Sequence, residues 1–481
     1  MELRTPDFFN RARELQQLER AWASDRPQMI TLWGRRRVGK SALLSQFAAG
    51  KRAIYIYGTR ISEADVLENL STQMARAFDQ PFLADIKLAS WDNAFEIMTR
   101  ESRSGRLLIV FDEFPYLCEV SQGLDTLVQR WWDRIHRTEN VMLVVAGSAF
   151  SFMRGLTGLS GALHGRRTGQ LDVEPFDYFD AAHFMQHLNP VDRVRGYACY
   201  GGIPAYLTHI DASHSLEQGI QESILAPGAF LNREGEDLLR TEFHNETVYA
   251  SILRSMASGE ERPSDIARDI GRGAANEILD HLLRLQDLHM IRRFVPITET
   301  HRPRSQRVLY RLSDPYLRFW FRYVSRYQPS LMLGEAEVIW EQVIQPSLDE
   351  FVARTTWEEV CMQYLWRRVA TGQMPTSFQQ LGRWWDNQTE IDIVGTWDNQ
   401  VTLIGECKWT NAVVDMRAFD ALRAKATKLD ISDQPTWVLA SRSGFDAELH
   451  HHAEDGDVLL IEPDDLFDST LALLSSNETR T

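Results

Sequence analysis

Between positions 29 and 173, short aliphatic and β-branched runs alternate with stretches of helical period. The runs are MITLW at 29–33, AIYIY at 53–57, LLIVF at 107–111, VMLVV at 141–145 and QLDV at 170–173. Strands that apolar are covered on both faces, so the pattern predicts a parallel, doubly wound α/β sheet. From about 175 to 240 the strand runs stop and a helical pattern takes over, broken by GGIP at 201–204, which predicts a helical lid. Residues 241–326 read as one helix, a second over 263–270 with Ser264 as N-cap, a third over about 274–288, and a hairpin from IRRFVP and RVLYRLS. That succession predicts a winged helix. Beyond Tyr327 the chain is helical and acidic, then gives strands at about 382–395, 401–409, 436–440 and 458–461, a further α/β domain. The expected parts are 1–240, 241–330 and 331–481.

A chain of 481 residues, 44% hydrophobic and 25% charged, supports several packed domains and excludes global disorder. The net charge of −15 excludes a surface that coats nucleic acid or anionic lipid as a whole, and leaves room for a local basic patch. Cys118, Cys199, Cys361 and Cys407 are far apart with no CxxC pair, which points away from a zinc ribbon or a disulfide framework. With no apolar leader at the start and no run near the ~20 residues of a membrane span, a cytoplasmic chain without a membrane partner is expected.

Gly34-Arg35-Arg36-Arg37-Val38-Gly39-Lys40-Ser41 follows the first strand and opens a helix, satisfying GxxxxGK[ST] in its required context. Gly34 and Gly39 let backbone N–H groups turn onto phosphate oxygens, Lys40 would reach the β- and γ-phosphates of ATP, and Ser41 a Mg²⁺ ion. Asp112 and Glu113 end the third strand, at the edge where parallel sheets bind ligands. Asp112 would hold Mg²⁺ and Glu113 would polarise the attacking water. Ser148 closes the fourth strand, either near the γ-phosphate or as a plain turn. Arg166 and Arg167 would supply transition-state charge in cis or from a neighbouring subunit of a homo-oligomer, or else form a solvated turn.

These segments, FFNRARELQQLE, GRRRVGKS, LLIVFDEFPYL, VVAGSAFSFM, the GRR turn and GGIPAYL, resemble in content and order the archaeal-type ATPases of the STAND-like P-loop class, over about 8–326. The resemblance implies a sheet with the phosphate-loop strand beside the strand of Ser148, followed by a winged helix. It also implies that Asn10, Arg11 and Glu14 border the nucleotide base.

Seven arginines (302, 304, 307, 311, 318, 322 and 326) face one acid, Asp314, between 302 and 326. Arg302, Arg304 and Arg307 fall in the expected wing, where they would contact DNA phosphates or pair with neighbouring acids. The third helix carries Glu277, Asp280 and Asp287 against Arg284, and so lacks a base-reading face.

Further on, EIDIV at 390–394 and GECKW at 405–409 place Asp392 on one strand and Glu406 and Lys408 on one face of the next. Two carboxylates suit Mg²⁺ and a lysine suits charge stabilisation, although a solvated charged hairpin has the same spacing. With GRWW at 382–385 and WEEV at 357–360, the stretch 339–461 resembles the PD-(D/E)XK restriction-endonuclease-like domain that follows such ATPases, which implies a role for Glu358. Ile391 stands where that motif has proline. The expected function is an ATPase coupled to a Mg²⁺-dependent nuclease acting on DNA. The alternative is a nucleotide-switched scaffold that does not cut.

Overall fold

The computed structural model describes residues 8–159, 161–243, 245–301, 305, 307–454 and 456–472. They divide into two compact units, 8–175 and 176–472.

The first unit is built on five parallel strands: β1 (Gln28–Trp33), β2 (Ala53–Tyr57), β3 (Leu107–Asp112), β4 (Val141–Gly147) and β5 (Gly169–Asp172), in the order β2-β3-β4-β1-β5. Every residue of β3 and β4 is buried, as continuous apolar runs require of central strands. The phosphate-loop strand lies between β4 and β5, beside the strand that ends before Ser148. All five apolar runs became strands.

The second unit starts with the expected lid helices, so the boundary falls at 176 and not at 240. Polar contacts between the lid helices and later segments explain the difference. The Trp320 indole donates to the Asn232 carbonyl (2.8 Å), Arg195 pairs with Asp349 (2.8 Å), and the buried Arg367 guanidinium reaches Asp177 (2.5 Å) and Asp180 (2.9 Å). Helices Glu246–Ala257, Pro263–Asp269 and Leu279–Asp287 precede the antiparallel pair β6 (Ile291–Phe294) and β7 (Leu309–Leu312). Pro263, not Ser264, begins the second of these helices, since a residue without an N–H suits the first helical position.

The expected helix face of Arg318, Arg322 and Arg326 is not formed. A π-helical turn at Trp320–Val324 shifts the spacing, and Arg318 is buried on Glu359 (2.8 Å). Tyr316, Phe319, Trp320, Phe321 and Tyr323 are buried, as packing residues should be.

The remaining sheet has the order β12-β11-β10-β9-β8, from β8 (Gln380–Trp385), β9 (Glu390–Trp397), β10 (Gln400–Lys408), β11 (Ile431–Ser441) and β12 (Val458–Ile461). The run expected as one strand over 382–395 is two. Asp386 accepts the N–H groups of Gln388 and Thr389 (2.7 Å each) and turns the chain between them. The turn expected at Asp398-Asn399 is present, with φ of 49° and 68°, the left-handed pair that a two-residue hairpin loop favours. No helix among the described residues is long and apolar enough to cross a membrane.

Candidate functional site

At the carboxyl ends of β1 and β3, the phosphate loop turns on Gly39 (φ 97°) into helix Lys40–Ala48. Gly34 lies so near β5 that a Cβ there would sit 2.4 Å from the Val173 carbonyl oxygen. The Lys40 ammonium is buried and donates to the carbonyls of Gly34 (3.0 Å) and Arg35 (3.1 Å). Burial lowers its pKa, opposed by the charges of Glu113 and then Asp112, so both carboxylates face it. Asp112 is fully buried and accepts the Tyr55 hydroxyl (2.6 Å) and the Glu113 N–H (2.9 Å).

Ser41 and Ser45 reach the same Tyr55 hydroxyl, whose pKa burial and then the Asp112 charge raise far above the ordinary range. Ser41 and Asp112 therefore converge on one oxygen, an arrangement of hard oxygen donors that fits Mg²⁺. Glu113 has φ 49°, left-handed for a residue with a side chain, a strain typical of functional positions. Its carboxylate accepts the N–H (3.2 Å) and hydroxyl (2.8 Å) of Ser148. Ser148 thus holds Glu113 here. Arg11 donates to the Val38 carbonyl (3.0 Å) and pairs with Glu14 (2.9 Å), so the N-terminal segment braces the phosphate loop.

In the second unit, Ile393 faces Gly405 across β9 and β10, and Asp392 and Glu406 are the next residues of the two strands, close enough for the Glu406 charge to act on Asp392. Asp392 accepts the Cys407 N–H (2.8 Å). Glu406 takes Lys408 on one oxygen (2.6 Å) and Lys425 on both (2.8 and 2.7 Å). Glu358, on helix Trp357–Ala370, pairs with Arg383 (3.0 Å), and Arg311 of β7 stands 3.9 Å away. Burial raises the Glu358 pKa, and so does the Asp392 charge.

Lys425 had no signal in the motif, because helix Met416–Ala426 carries it across from outside the strand pair. With both Glu406 oxygens taken by lysines, the arrangement as it stands does not fit a divalent cation. No group of three or more His, Cys, Asp or Glu among the described residues is disposed to hold one.

The Asp392 carboxyl is pushed up to about 6, first by burial and then by Glu406. Its folded pKa stands above its ordinary 3.8, so the native state holds a proton that the unfolded chain has lost, and stability falls as pH rises between those values. In metal-free buffer, Asp392→Asn is expected to raise the melting temperature near pH 7.5, by the equivalent of about 1–3 kcal/mol, and to have little effect near pH 4. Equal effects at both pH values would count against a strained carboxylate.

Of the expected wing arginines, Arg302 and Arg304 lie outside the described residues. Arg307 pairs with Glu299 and donates to the Trp385 carbonyl (2.7 Å), tying the segment between β6 and β7 to β8. Ile297 of that segment joins Trp384 and Ile391 in one core. Arg307 is therefore a structural tie and not an outward phosphate contact.

Residues 8–210 match a family described as an ATPase domain predominantly from Archaea, and residues 320–421 one described as "Archaea bacterial proteins of unknown function". Over 8–210 the chain is thus similar to an archaeal-type ATPase domain. An uncharacterized protein of Methanocaldococcus jannaschii is 26% identical over 404 residues, 84% of this chain and 87% of its own length. An uncharacterized ATP-binding protein of the same organism is 47% identical over 45 residues, 9% of this chain and 76% of its own. In fold, the chain is similar to the Walker-type ATPase of Pyrococcus abyssi, at TM-score 0.50 and 20% identity, covering 66% of this chain and 96% of that one.

Within residues 8–210, the Arg166-Arg167 turn stands at the edge opposite the phosphate loop. Thr168 donates its N–H to Met29 at the start of β1 (2.8 Å), whereas the loop leaves the end of β1 at Gly34. Five residue steps of extended chain, roughly 17 Å, separate the two. Action of either arginine in cis is thereby excluded. Arg166 is held bidentate by Asp133 (2.7 and 2.8 Å), while Arg167 hydrogen-bonds Gln170. Both line a cavity of about 460 Å³ with Trp132, Asp133, His136 and His164. Tyr55, which the sequence reading passed over, stands on β2 beside Asp112. Its only signal was a hydroxyl-bearing residue at an alternate position of a ligand-edge strand.

Proposed function

We infer that the protein is an ATP-hydrolysing switch whose second unit combines a winged helix with a nuclease-like domain directed at DNA. The observation that carries the hydrolytic part is the convergence of Lys40, Asp112 and Glu113 at one sheet edge, with Glu113 oriented by Ser148. Lys40 would exchange its loop carbonyls for phosphate oxygens. Glu113 would take a proton from water once Ser148 turns toward the phosphate. Ser41 and Asp112 would hold Mg²⁺, which when bound neutralises phosphate charge. Arg167, at the opposite edge, would serve the nucleotide of a neighbouring copy.

Lys40→Ala is expected to weaken ATP binding by about 10- to 100-fold, because a charged hydrogen bond is worth about 1.5–3 kcal/mol. Calorimetric titration measures this, and native affinity in the variant would end the reading.

The winged-helix reading is supported by three helices followed by the β6-β7 pair. The nuclease-like reading is supported by Asp392, Glu406 and Lys408 on the β9-β10 pair, with Glu358 on the preceding helix. Glu406 is held by Lys408 and Lys425 and Glu358 by Arg383, which leaves this arrangement no place for a cutting cation. That same occupancy favours a second reading, a nucleotide-controlled scaffold that binds without cutting.

A further inference from the structure

Glu406 is nearly buried and has two ammonium partners of different origin. Lys408 lies two residues along the same strand, so it shares the face of Glu406 in any state that keeps the sheet. Lys425 comes from the last turn of helix Met416–Ala426, and its ammonium spans both Glu406 oxygens at 2.8 and 2.7 Å. About a third of its side chain is exposed (31%), so it can leave Glu406 without opening the core.

Its hold on both Glu406 oxygens, and not the net charge around them, decides what it does. Arg383 and Arg311 also pair with Glu390 and Glu261, so five carboxylates, Glu358, Asp392, Glu406, Glu390 and Glu261, meet four cations, Lys408, Lys425, Arg383 and Arg311. A divalent cation would enter a cluster negative by one, yet would find both Glu406 oxygens taken by Lys425.

We propose that Lys425 is a lock that excludes divalent cations from the Asp392–Glu406 pair. Withdrawal of its ammonium frees both Glu406 oxygens opposite Asp392 and leaves Lys408 in place. The natural competitor for the ammonium is a nucleic-acid phosphate, which offers an alternative anion at a partly exposed side chain. The substrate backbone would then draw Lys425 outward and admit the cation in the same event. This inference rests on the nuclease-like reading of the cluster.

The test is Mn²⁺ binding to the full chain without nucleotide, followed by the paramagnetic resonance signal of the free ion. Lys425→Met and Lys425→Gln are each expected to bind Mn²⁺ at least about tenfold more tightly than the native chain, a 1.4 kcal/mol difference. Lys425→Arg should stay native-like, and adding Asp392→Asn to Lys425→Met should remove the gain. Native affinity in both neutral variants overturns the lock, whatever a cutting assay gives. If the neutral variants gain Mn²⁺ yet leave duplex and single-stranded DNA intact, the lock stands and the nuclease reading falls.

Discussion

Glu113→Gln is expected to bind ATP as the native chain does and to hydrolyse it at least about 10²-fold more slowly, the usual contribution of a positioned general base. Glutamine has the same shape and keeps an oxygen that accepts the Ser148 hydroxyl and N–H, so the strained backbone at φ 49° and its surroundings need not move. Only the capacity to take a proton is lost. Asp112 cannot substitute, because it is fully buried and its proposed task is to hold Mg²⁺. Phosphate release measured beside nucleotide affinity separates the two properties. Turnover within about threefold of native would assign the base elsewhere.

The second large effect is expected at Arg167. Arg167→Ala should lower turnover by about 10³-fold, the low end for an arginine supplied in trans, with little change in ATP affinity. This arginine belongs to the edge where β1 begins, and the phosphate loop to the edge where β1 ends. Native activity per chain should accordingly rise with protein concentration. Mixing Arg167→Ala with Lys40→Ala should restore part of the lost turnover, since one variant brings a complete phosphate loop and the other an intact arginine. Native turnover in Arg167→Ala, or no recovery on mixing, would return the turn to a surface role.

The elements were largely legible in the sequence, because each buried parallel strand is a continuous apolar run and each turn carries its own chemistry, as at Asp398-Asn399. The phosphate loop was legible for the same reason: its glycines, lysine and serine are local in the chain. What stayed hidden depends on contacts between distant segments. The pairing of Arg367 with Asp177 and Asp180, which binds the lid helices into the second unit, joins residues up to 190 positions apart in the chain. Lys425 is comparable: nothing around it marks a lysine whose partner lies on another element. Arg307 shows the opposite failure. A basic run reads as a solvent-facing patch until Glu299 and the Trp385 carbonyl take its guanidinium.

The placement of Arg167 and Lys40 at opposite ends of β1 also bears on symmetry. A contact that lays one copy's arginine edge on the next copy's phosphate edge joins two different patches, so it is heterologous and has no two-fold axis. A pair assembled this way completes one catalytic centre, not two. An open row always has one fewer working centre than it has chains, and only closure into a ring makes the numbers equal.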